Sequence, residues 1–487
     1  MGRSKFICPF LGALLMLLAG GCSFVGVDTR ECRVDTECSS AFGFGYRCDD
    51  DGFCQEHQAQ RRCQNSYPED LFSNPTLYSN TIVFGNLMDQ SLATHRAREN
   101  AAQLAIKQAT TTSQLNGQGL GIVFCSIAED SEFDDFDRAS AATAMATYLI
   151  DELNVPAIIG PAASDDVLQV FQDLADRGTV FVSPSASSPA LSSLDPAVVT
   201  DESPGLLWRT TPPDSLQGEA IAFDMRTLGR GRTTIVERAV VVYDDGIYGS
   251  SLSEVFSEHF QQLGGEVTLL PYSNAAQLSD RVTDASMSNA EEVLFISSQT
   301  GDVVLFFANA ASLSGFDSKT VFLTDAAANP DVLEDSSSAR FAAVRGSRPA
   351  PRSTDDLVFA GFLAAYSGDY GEDASQFSFT ANAYDAAWIL AAGAAWAVFN
   401  EESVTGVGVA RGLRQLSEGA QVDARATSWP QMIEHFRRGE SFNLAGASGD
   451  LDFDPETEET SGRVEFWTID KTNIVPIASW PPVQELP

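Results

Sequence analysis

The chain has 487 residues, of which 44% are hydrophobic and 20% are charged, so it is long enough for two or three packed domains. Its 67 acidic residues against 30 basic residues give a formal net charge of −37. A surface this negative repels phosphate backbones, which excludes nucleic acids as general partners, and it argues against docking on anionic lipids through basic residues.

The first 21 residues have the order of an export signal. A short basic start precedes an apolar run over residues 6–18, which is too short to span a bilayer comfortably, and small residues then lead to Cys22. This order resembles the lipobox of bacterial lipoproteins, although Ala19 stands where leucine is usual. We expect residues 1–21 to be a lipoprotein signal peptide and Cys22 to carry lipid; simple cleavage with an unlipidated Cys22 is the alternative.

Residues 22–78 form a cysteine-rich segment and linker. Its cysteines beyond Cys22 are Cys32, Cys38, Cys48, Cys54 and Cys63. Between them lie glycine and aspartate turn residues with almost no apolar periodicity, so disulfides are the expected staples. We predict two disulfides among the first four, with the pairing open. The fifth cysteine, Cys63 for instance, would then have to pair outside the segment, and Cys125 is the one remaining cysteine of the sequence. Zinc is disfavoured because the segment has no Cys-x-x-Cys pair.

From residue 79 onward, short apolar runs alternate with amphipathic stretches. The runs that predict strands are 81–84, 121–124, 157–159, 179–182, 239–243, 293–296 and 320–323, and helices are expected over 139–153, 166–174 and 250–263. Continuous apolar runs indicate strands covered on both faces, which is typical of parallel sheets flanked by helices. Roughly 400 residues exceed one core, so the fold class is α/β with two lobes, each a doubly wound parallel sheet.

Polar side chains follow these strands at their carboxyl ends, where open parallel sheets bind their ligands. They include the hydroxyls of Ser164 and Ser185, the phenol of Tyr248, the amide of Gln299 and the carboxylate of Asp325. This set predicts a cleft that holds a small zwitterion.

Five stretches around these strand ends carry a resemblance to a known family. They are residues 158–161, 182–191, 208–218, 242–249 and 383–386. They are similar to type I periplasmic solute-binding proteins and, within that fold, to the leucine/isoleucine/valine-binding receptors of ABC transporters. The resemblance implies a two-lobed fold, with lobe 1 formed by 79–210 and 345–462 and lobe 2 by 211–344 and 463–487.

The resemblance also implies which residues bind the ligand. They are Ser164, Ser185, Ala186, Ser187, Tyr248, Gln299, Asp325 and Phe379. The serines and Ala186 would hold the ligand carboxylate, Asp325 would hold its ammonium group, and Phe379 would line the side-chain pocket. Gln299 or its neighbour Thr300 stands where the family has an aromatic residue, so the ligand need not be a branched-chain amino acid.

Each of these residues also has a plainer interpretation. Ser164, followed by Asp165 and Asp166, would make a good helix N-cap, and the two acids place negative charge beside the expected carboxylate site. Tyr248 could be a packed aromatic residue, and Asp325 could cap a helix near Asn329. Serines of the 185–187 loop could satisfy turn backbone. The acidic triplet at positions 450, 452 and 454 predicts a solvated turn rather than a calcium loop.

The implied function is that of a lipid-anchored solute-binding protein in the cell envelope, on the periplasmic face of the inner or outer membrane. It would capture an amino acid or similar small polar ligand by hinge closure and deliver it to an ABC transporter permease. The alternative is an outer-membrane lipoprotein of the same fold that acts as a sensor or regulator, for example of cell-wall synthesis. Common catalytic motifs are absent from the sequence, so we expect no enzyme, no cofactor and no metal site.

Overall fold

The computed structural model describes residues 31–129, 134–195, 199–333, 344–470 and 473–481. The predicted signal peptide and Cys22 lie outside the described residues. Within the described ranges, no helix combines the length and the apolar character needed to cross a membrane.

Seventeen strands occur in the described residues. They are β1 Tyr46–Cys48, β2 Cys54–Glu56, β3 Asn65–Tyr67, β4 Thr81–Met88, β5 Gly119–Ser126, β6 Ala157–Ile159, β7 Val180–Ser183, β8 Leu207–Arg209, β9 Arg238–Asp244, β10 Glu266–Tyr272, β11 Glu292–Ile296, β12 Thr320–Leu323, β13 Arg345–Pro349, β14 Ala420–Asp423, β15 Phe442–Ala445, β16 Val464–Asp470 and β17 Asn473–Trp480. Every apolar run predicted as a strand falls in one of them, within one residue at its start.

The helices lie between these strands and cover the sheets. They are Asp35–Phe42, Ala93–Thr112, Arg138–Thr147, Ser164–Leu174, Asp214–Arg226, Ile247–Gln262, Ala275–Met287, Thr300–Ala310, Pro330–Leu333, Leu357–Tyr370, Thr380–Asn400, Gly406–Leu413 and Trp429–Arg437. The expected helix over 139–153 begins as Arg138–Thr147 and continues as a wider π-helical turn over Tyr148–Glu152.

The first lobe is built on a six-stranded sheet with the order β3-β5-β4-β6-β7-β8. Strands β4 to β8 are parallel, and β3 adds an antiparallel edge. Side chains alternate between the two faces, so Phe84 packs under one helical layer and Val83 under the other. Both layers are apolar, which is why the strands read as continuous apolar runs.

The second lobe is built on a seven-stranded sheet with the order β10-β9-β11-β12-β13-β16-β17. Strands β9 to β13 are parallel and β16 and β17 are antiparallel. The sequence analysis placed Arg345–Pro349 in the first lobe, whereas this strand pairs with β12 and β16. Its sequence, Arg-Gly-Ser-Arg-Pro, has no apolar run, so the hydrophobic pattern did not predict this strand. The predicted α/β class with two parallel sheets is confirmed.

The chain passes between the lobes three times within the described residues. The crossings follow β8, follow β13 and precede β16, because β8 belongs to the first sheet and β13 and β16 belong to the second. The two lobes are therefore joined by three connecting segments, which is the kind of link about which hinged lobes rotate.

The cysteine-rich segment folds as one short helix and the β1–β2 hairpin, fastened by Cys32–Cys48 and Cys38–Cys54. The prediction of two disulfides among these four cysteines is confirmed. A third disulfide joins Cys63 to Cys125 in β5, which settles the pairing that the sequence left open. Strand β3 follows directly and pairs with β5, so the segment is tied to the first lobe both covalently and through the sheet.

Candidate functional site: a cavity between the lobes

A cavity lies between the two lobes at the carboxyl ends of their parallel strands. The first lobe lines it with Leu92, Thr94, His95, Arg98, Arg138, Ala162, Ala163, Ser164, Ser185, Ser378 and Phe379, and the second lobe with Tyr248, Ser297, Ser298, Thr300, Asp325 and Ala326. This is the edge at which ligands bind in open α/β sheets. Both lobes therefore present polar groups to the same cavity.

Asp325 is the acidic residue of the second-lobe wall. It follows β12 and is buried, and its carboxylate accepts hydrogen bonds from Gln217 Nε2 at 2.8 Å and from the Tyr248 hydroxyl at 3.2 Å. Burial raises the pKa of Asp325 to about 6, although these two hydrogen bonds and the charge of Arg98 favour the ionised form. Asp325 therefore faces the cavity as an anion at neutral pH.

Tyr248 combines the two roles that the sequence left open. It packs in the core of the second lobe, and its hydroxyl donates to Asp325. Burial raises the pKa of Tyr248 well above its usual value, so the phenol keeps its proton. Asp325 does not cap the helix near Asn329, because Asn329 itself accepts from Val332 N at its start.

Arg98 is the first-lobe counterpart of Asp325. It lies on the helix Ala93–Thr112, where its Nε donates to the Ser378 carbonyl at 3.1 Å and its Nη1 donates to Ser185 Oγ at 3.1 Å. The ring of Phe379 lies beneath the guanidinium, with 5.0 Å between the carbon of that group and the ring centroid. Burial lowers the pKa of Arg98 to about 9, which leaves it charged at neutral pH.

A second arginine, Arg138, also lines the first-lobe wall of the cavity. Its Nε donates to Asp166 Oδ2 at 2.7 Å and its Nη1 donates to Asp89 Oδ2 at 3.1 Å. Asp166, which the sequence suggested could repel a ligand carboxylate, is thus neutralised by an ion pair. Nearby, burial lowers the pKa of His95 well below its usual value, and its Nδ1 accepts from Asp89 N, so it is neutral.

The predicted binding residues divide into two groups by position. Ser164, Ser185, Tyr248, Asp325 and Phe379 line the cavity. The other three belong to its surroundings: Ala186, Ser187 and Gln299. The N-cap of the helix Ser164–Leu174 is Ala163, so the Ser164 side chain does not cap it. The Ser164 hydroxyl instead accepts a hydrogen bond from Ser188 N at 3.2 Å. Its proton is left for another acceptor.

The loop after β7 uses most of its own polar groups internally. Ser185 Oγ donates to the Ala162 carbonyl at 2.8 Å, and the amide of Ala186 donates to Ser183 Oγ. Ser187 is buried, and its hydroxyl interacts with the side chain of Asp214 rather than lining the cavity. The plainer interpretation, in which these serines satisfy turn backbone, thus describes Ser185 better than a role as donor to a ligand.

Direct contacts hold the two lobes together beside the cavity. Asp165 Oδ1 accepts from Ile247 N at the start of the second-lobe helix at 2.9 Å. Ser188 Oγ lies 3.0 Å from Ser251 Oγ, and Gln299 Oε1 accepts from Arg138 at 3.4 Å. These contacts cross from one lobe to the other and connect the two walls beside the cavity.

The acidic residues at positions 450, 452 and 454 are exposed, and each has partners of its own. Asp450 pairs with Arg352, Asp452 accepts from Asn443, and Asp454 accepts from the amides of Glu456 and Thr457. The three carboxylates therefore have separate partners.

Arg98 and Arg138 are the two arginines of the cavity lining, and the sequence did not single them out. Arg98 lies in an alanine-rich helix whose buried face contains Ala97, Ala101 and Ala105. An arginine beside a stripe of small buried residues is a signal that could have been noticed, because charged side chains are rarely buried without a partner. Arg138 lies just after a polar loop, and nothing in its surroundings distinguishes it from a surface arginine.

Comparison with known proteins places this geometry in context. A family model described as "Receptor family ligand binding region" matches residues 97–472. A comparison with curated protein sequences finds no match.

Among solved structures, the leucine binding protein LivK of Thermotoga maritima is 20% identical over 82% of this chain and 98% of its own, with a TM-score of 0.62. LivJ of Streptococcus pneumoniae in complex with isoleucine is 16% identical over 81% and 99%, with a TM-score of 0.61. A solute-binding protein of an ABC transporter from R. palustris, in complex with benzoate, is 13% identical over 82% and 97%, with a TM-score of 0.62.

The predicted fold extends over the region that these comparisons cover, and the cavity lies where the two sheets of that fold meet. The family match covers more than half of the chain. This protein therefore belongs to the receptor ligand-binding-region family and has the type I periplasmic-binding-protein fold.

Proposed function

We propose that this protein is an extracytoplasmic solute-binding protein that captures an amino acid or a similar small polar ligand and delivers it to an ABC transporter permease. The observation that carries the proposal is the cavity between the lobes, to which one lobe contributes Arg98 and the other contributes Asp325. A ligand that carries both charges would contact both lobes at once. Binding, rather than catalysis, is the chemistry that this set of groups supports.

The ligand's ammonium group would lie against Asp325. This carboxylate uses one oxygen for Gln217 and the other for Tyr248, and each oxygen retains lone pairs for a further donor. Ser164 has a proton to donate to the ligand, since its oxygen already accepts from the backbone. Phe379 and Thr300 would flank the ligand's side chain.

Capture would occur by hinge closure. Rotation about the three crossings would separate the lobes and would break contacts between them such as the one from Ile247 N to Asp165. A ligand that bridges the two walls binds the closed form better than the open form, so it shifts the population toward closure.

The comparisons support the ligand class. LivK is named a leucine binding protein, and the two complexes hold isoleucine and benzoate. These ligands share a carboxylate and a compact apolar part. We therefore propose a small carboxylate, an amino acid in the first place, as the ligand of this chain.

We also propose that the protein is anchored to the membrane by lipid on Cys22, with the lobes on the periplasmic side. The support is the basic start, the short apolar run and the small residues before Cys22. Mass spectrometry of the native protein should find a diacylglycerol-modified N-terminal cysteine. An unmodified peptide that spans Gly21 and Cys22 would contradict this.

Titration calorimetry tests the binding function. The purified protein, freed of endogenous ligand by unfolding and refolding, is titrated with the twenty amino acids and with simple carboxylates, and small-angle scattering is recorded with and without the ligand that binds. We expect micromolar or tighter binding by one group of related compounds, and a smaller radius of gyration on binding. Failure of every compound to bind would contradict the proposal.

Uptake of the labelled ligand by cells with and without the gene then separates transport from sensing. Loss of uptake in the deletion strain supports delivery to a permease. Binding with undiminished uptake would contradict delivery and favour the sensor or regulator.

A further inference from the structure

Arg98 differs from every other deeply buried arginine in the described part of the chain. Five arginines are buried there: Arg62, Arg98, Arg209, Arg345 and Arg348. Four of them form an ion pair, with Asp134, Glu459, Asp224 and Glu465 respectively. No carboxylate of a described residue forms an ion pair with Arg98, although only 6% of its surface is exposed.

Burying a charge is costly unless it is compensated. The Asp325 carboxylate attracts Arg98 from the opposite wall but forms no ion pair with it. The protein supplies Arg98 with the Ser378 carbonyl and Ser185 Oγ, which engage Nε and Nη1. Nη2 donates to no described residue, so the guanidinium keeps donors for a group that the chain does not provide.

The surroundings hold the guanidinium in place. Phe379 stacks on one face, and its backbone has φ 67°, a left-handed conformation that is uncommon for a bulky residue. Such backbone persists where the surrounding structure fixes it, and it is concentrated at binding sites. Arg98 is thus fixed on one face by a ring and on two nitrogens by oxygen atoms, and it lines the cavity.

The hydroxyls that the family resemblance assigned to the ligand carboxylate are less available than Arg98. The Ser185 hydroxyl donates its one hydrogen to the Ala162 carbonyl and accepts a hydrogen bond from Arg98. It therefore cannot donate to an anion as well. Ser187 does not line the cavity. Ser164 offers one neutral donor, which is weaker than a charged one.

We propose that Arg98 binds the carboxylate of the ligand, and that this contact makes the protein select acids over their amides. The inference rests on the proposed function and deepens it. The carboxylate would contact Nη2 of Arg98, with Ser164 as a second donor. Asp325, whose ionisation the charge of Arg98 favours, would hold an ammonium group on the other wall.

The test compares each acid with its carboxamide on four proteins: the wild type, Arg98→Gln, Arg98→Lys and the control Arg96→Gln. Arg96 lies on the same helix but is exposed, and its Nη1 donates to the carbonyls of Gln90 and Ser91. Calorimetry uses isoleucine and benzoate with isoleucinamide and benzamide, extended to the acid that the wild type binds best and its amide.

We expect the wild type and Arg96→Gln to bind the acid on the order of 100-fold more tightly than the amide, since hydrogen bonds to charged groups are the strong ones. Arg98→Gln should bind the acid on the order of 100-fold more weakly and should no longer distinguish acid from amide. Arg98→Lys should bind the acid more tightly than Arg98→Gln but less tightly than the wild type, because lysine has the positive charge but not the planar guanidinium group with its paired donors.

Three outcomes decide the matter. If the wild type binds acid and amide equally, the inference is wrong, and this comparison does not depend on how any variant folds. If Arg98→Gln, shown to be folded by its thermal unfolding, keeps the preference for the acid, the inference is wrong while the proposed function stands. If the wild type binds no acid at all, both are wrong.

Discussion

The two walls of the cavity are electrostatic opposites. The first-lobe wall carries Arg98 and Arg138, whereas the second-lobe wall carries Asp325 with the hydrogen-bond donors Gln217 and Tyr248 around it. Neither wall by itself can satisfy both charges of a zwitterion. Under the proposed function, recognition of the ligand and closure of the lobes would be one event, because a zwitterion would find partners for both charges only where the two walls meet.

The lobes also differ in what stabilises them. The first lobe is fastened by the Cys63–Cys125 disulfide, and all eight cysteines precede the second lobe in the sequence. The second lobe instead buries Asp224 among Arg230, Arg232 and Arg345. One lobe is therefore held by a covalent link and the other by a buried ion cluster, so they should respond differently to reduction and to mutation.

The largest effect is expected from removing the disulfide of the first lobe. Replacing Cys63 and Cys125 together by alanine opens a link with a sequence separation of 62 residues. The chain-entropy model gives a loss of about 4 kcal/mol in the free energy of unfolding for a loop of this length. Denaturant unfolding, followed by far-ultraviolet circular dichroism, measures it. The double variant of Cys32 and Cys48 is the control, and its effect should stay within the cysteine-rich segment; an unchanged midpoint for the first variant would contradict the prediction.

Changing the acid of the second-lobe wall should give the next largest effect. Asp325→Asn keeps the shape of the side chain but removes its charge, so amino acids should bind on the order of 100-fold more weakly. Benzoate, a carboxylate without an ammonium group, is the control ligand, and the affinity of the variant for it should fall little. Calorimetry with both ligands checks this. Equal losses for both would show that Asp325 supports the wall rather than the ammonium group.

The pH dependence sharpens the same contrast. Burial raises the pKa of Asp325 to about 6, and an ammonium group needs the ionised carboxylate. Binding then releases a proton, so affinity for amino acids should fall about tenfold for each pH unit below about 6 and level off above it. Benzoate and the Asp325→Asn variant should lack this dependence. A flat profile for the wild type would contradict the assignment.

The same shift has a consequence for stability, with a definite sign. The ordinary pKa of the group is 3.8, so between about pH 4 and pH 6 the folded protein holds the proton more tightly than the unfolded chain does. The wild type should therefore lose stability as pH rises through this window. Asp385, whose pKa burial also raises to about 6, contributes in the same direction, so only the difference between wild type and Asp325→Asn reports on Asp325.

The smallest effect is expected at a contact that closes the cleft without lining it. Asp165→Ala removes the acceptor of Ile247 N, which favours the open form and should weaken every ligand roughly fivefold, irrespective of its charge. Asp173→Ala, on the exposed side of the same helix, is the control. A loss confined to ligands of one charge type would mean that Asp165 acts on the ligand and not on closure.

The sequence by itself determined the parts of the fold that depend on local pattern. Continuous apolar runs predicted the strands of both sheets, because a strand covered on both faces must be apolar at nearly every position. The spacing and composition of the cysteine-rich segment predicted its disulfides for a similar reason, since a segment with so few apolar residues cannot form a core. Positions such as Tyr248 and Asp325 followed from strand ends and from the family resemblance.

Only the tertiary structure decided which polar groups remain available to a ligand. Strand β13 joins the second lobe through its sheet neighbours, and Cys63 meets Cys125 through the pairing of β3 with β5. Arg98 is 280 residues away in sequence from Ser378, whose carbonyl it contacts. The hydrogen-bond partners of a serine and the ion-pair partners of a buried arginine come from distant parts of the chain. They cannot be predicted from the local sequence around either residue.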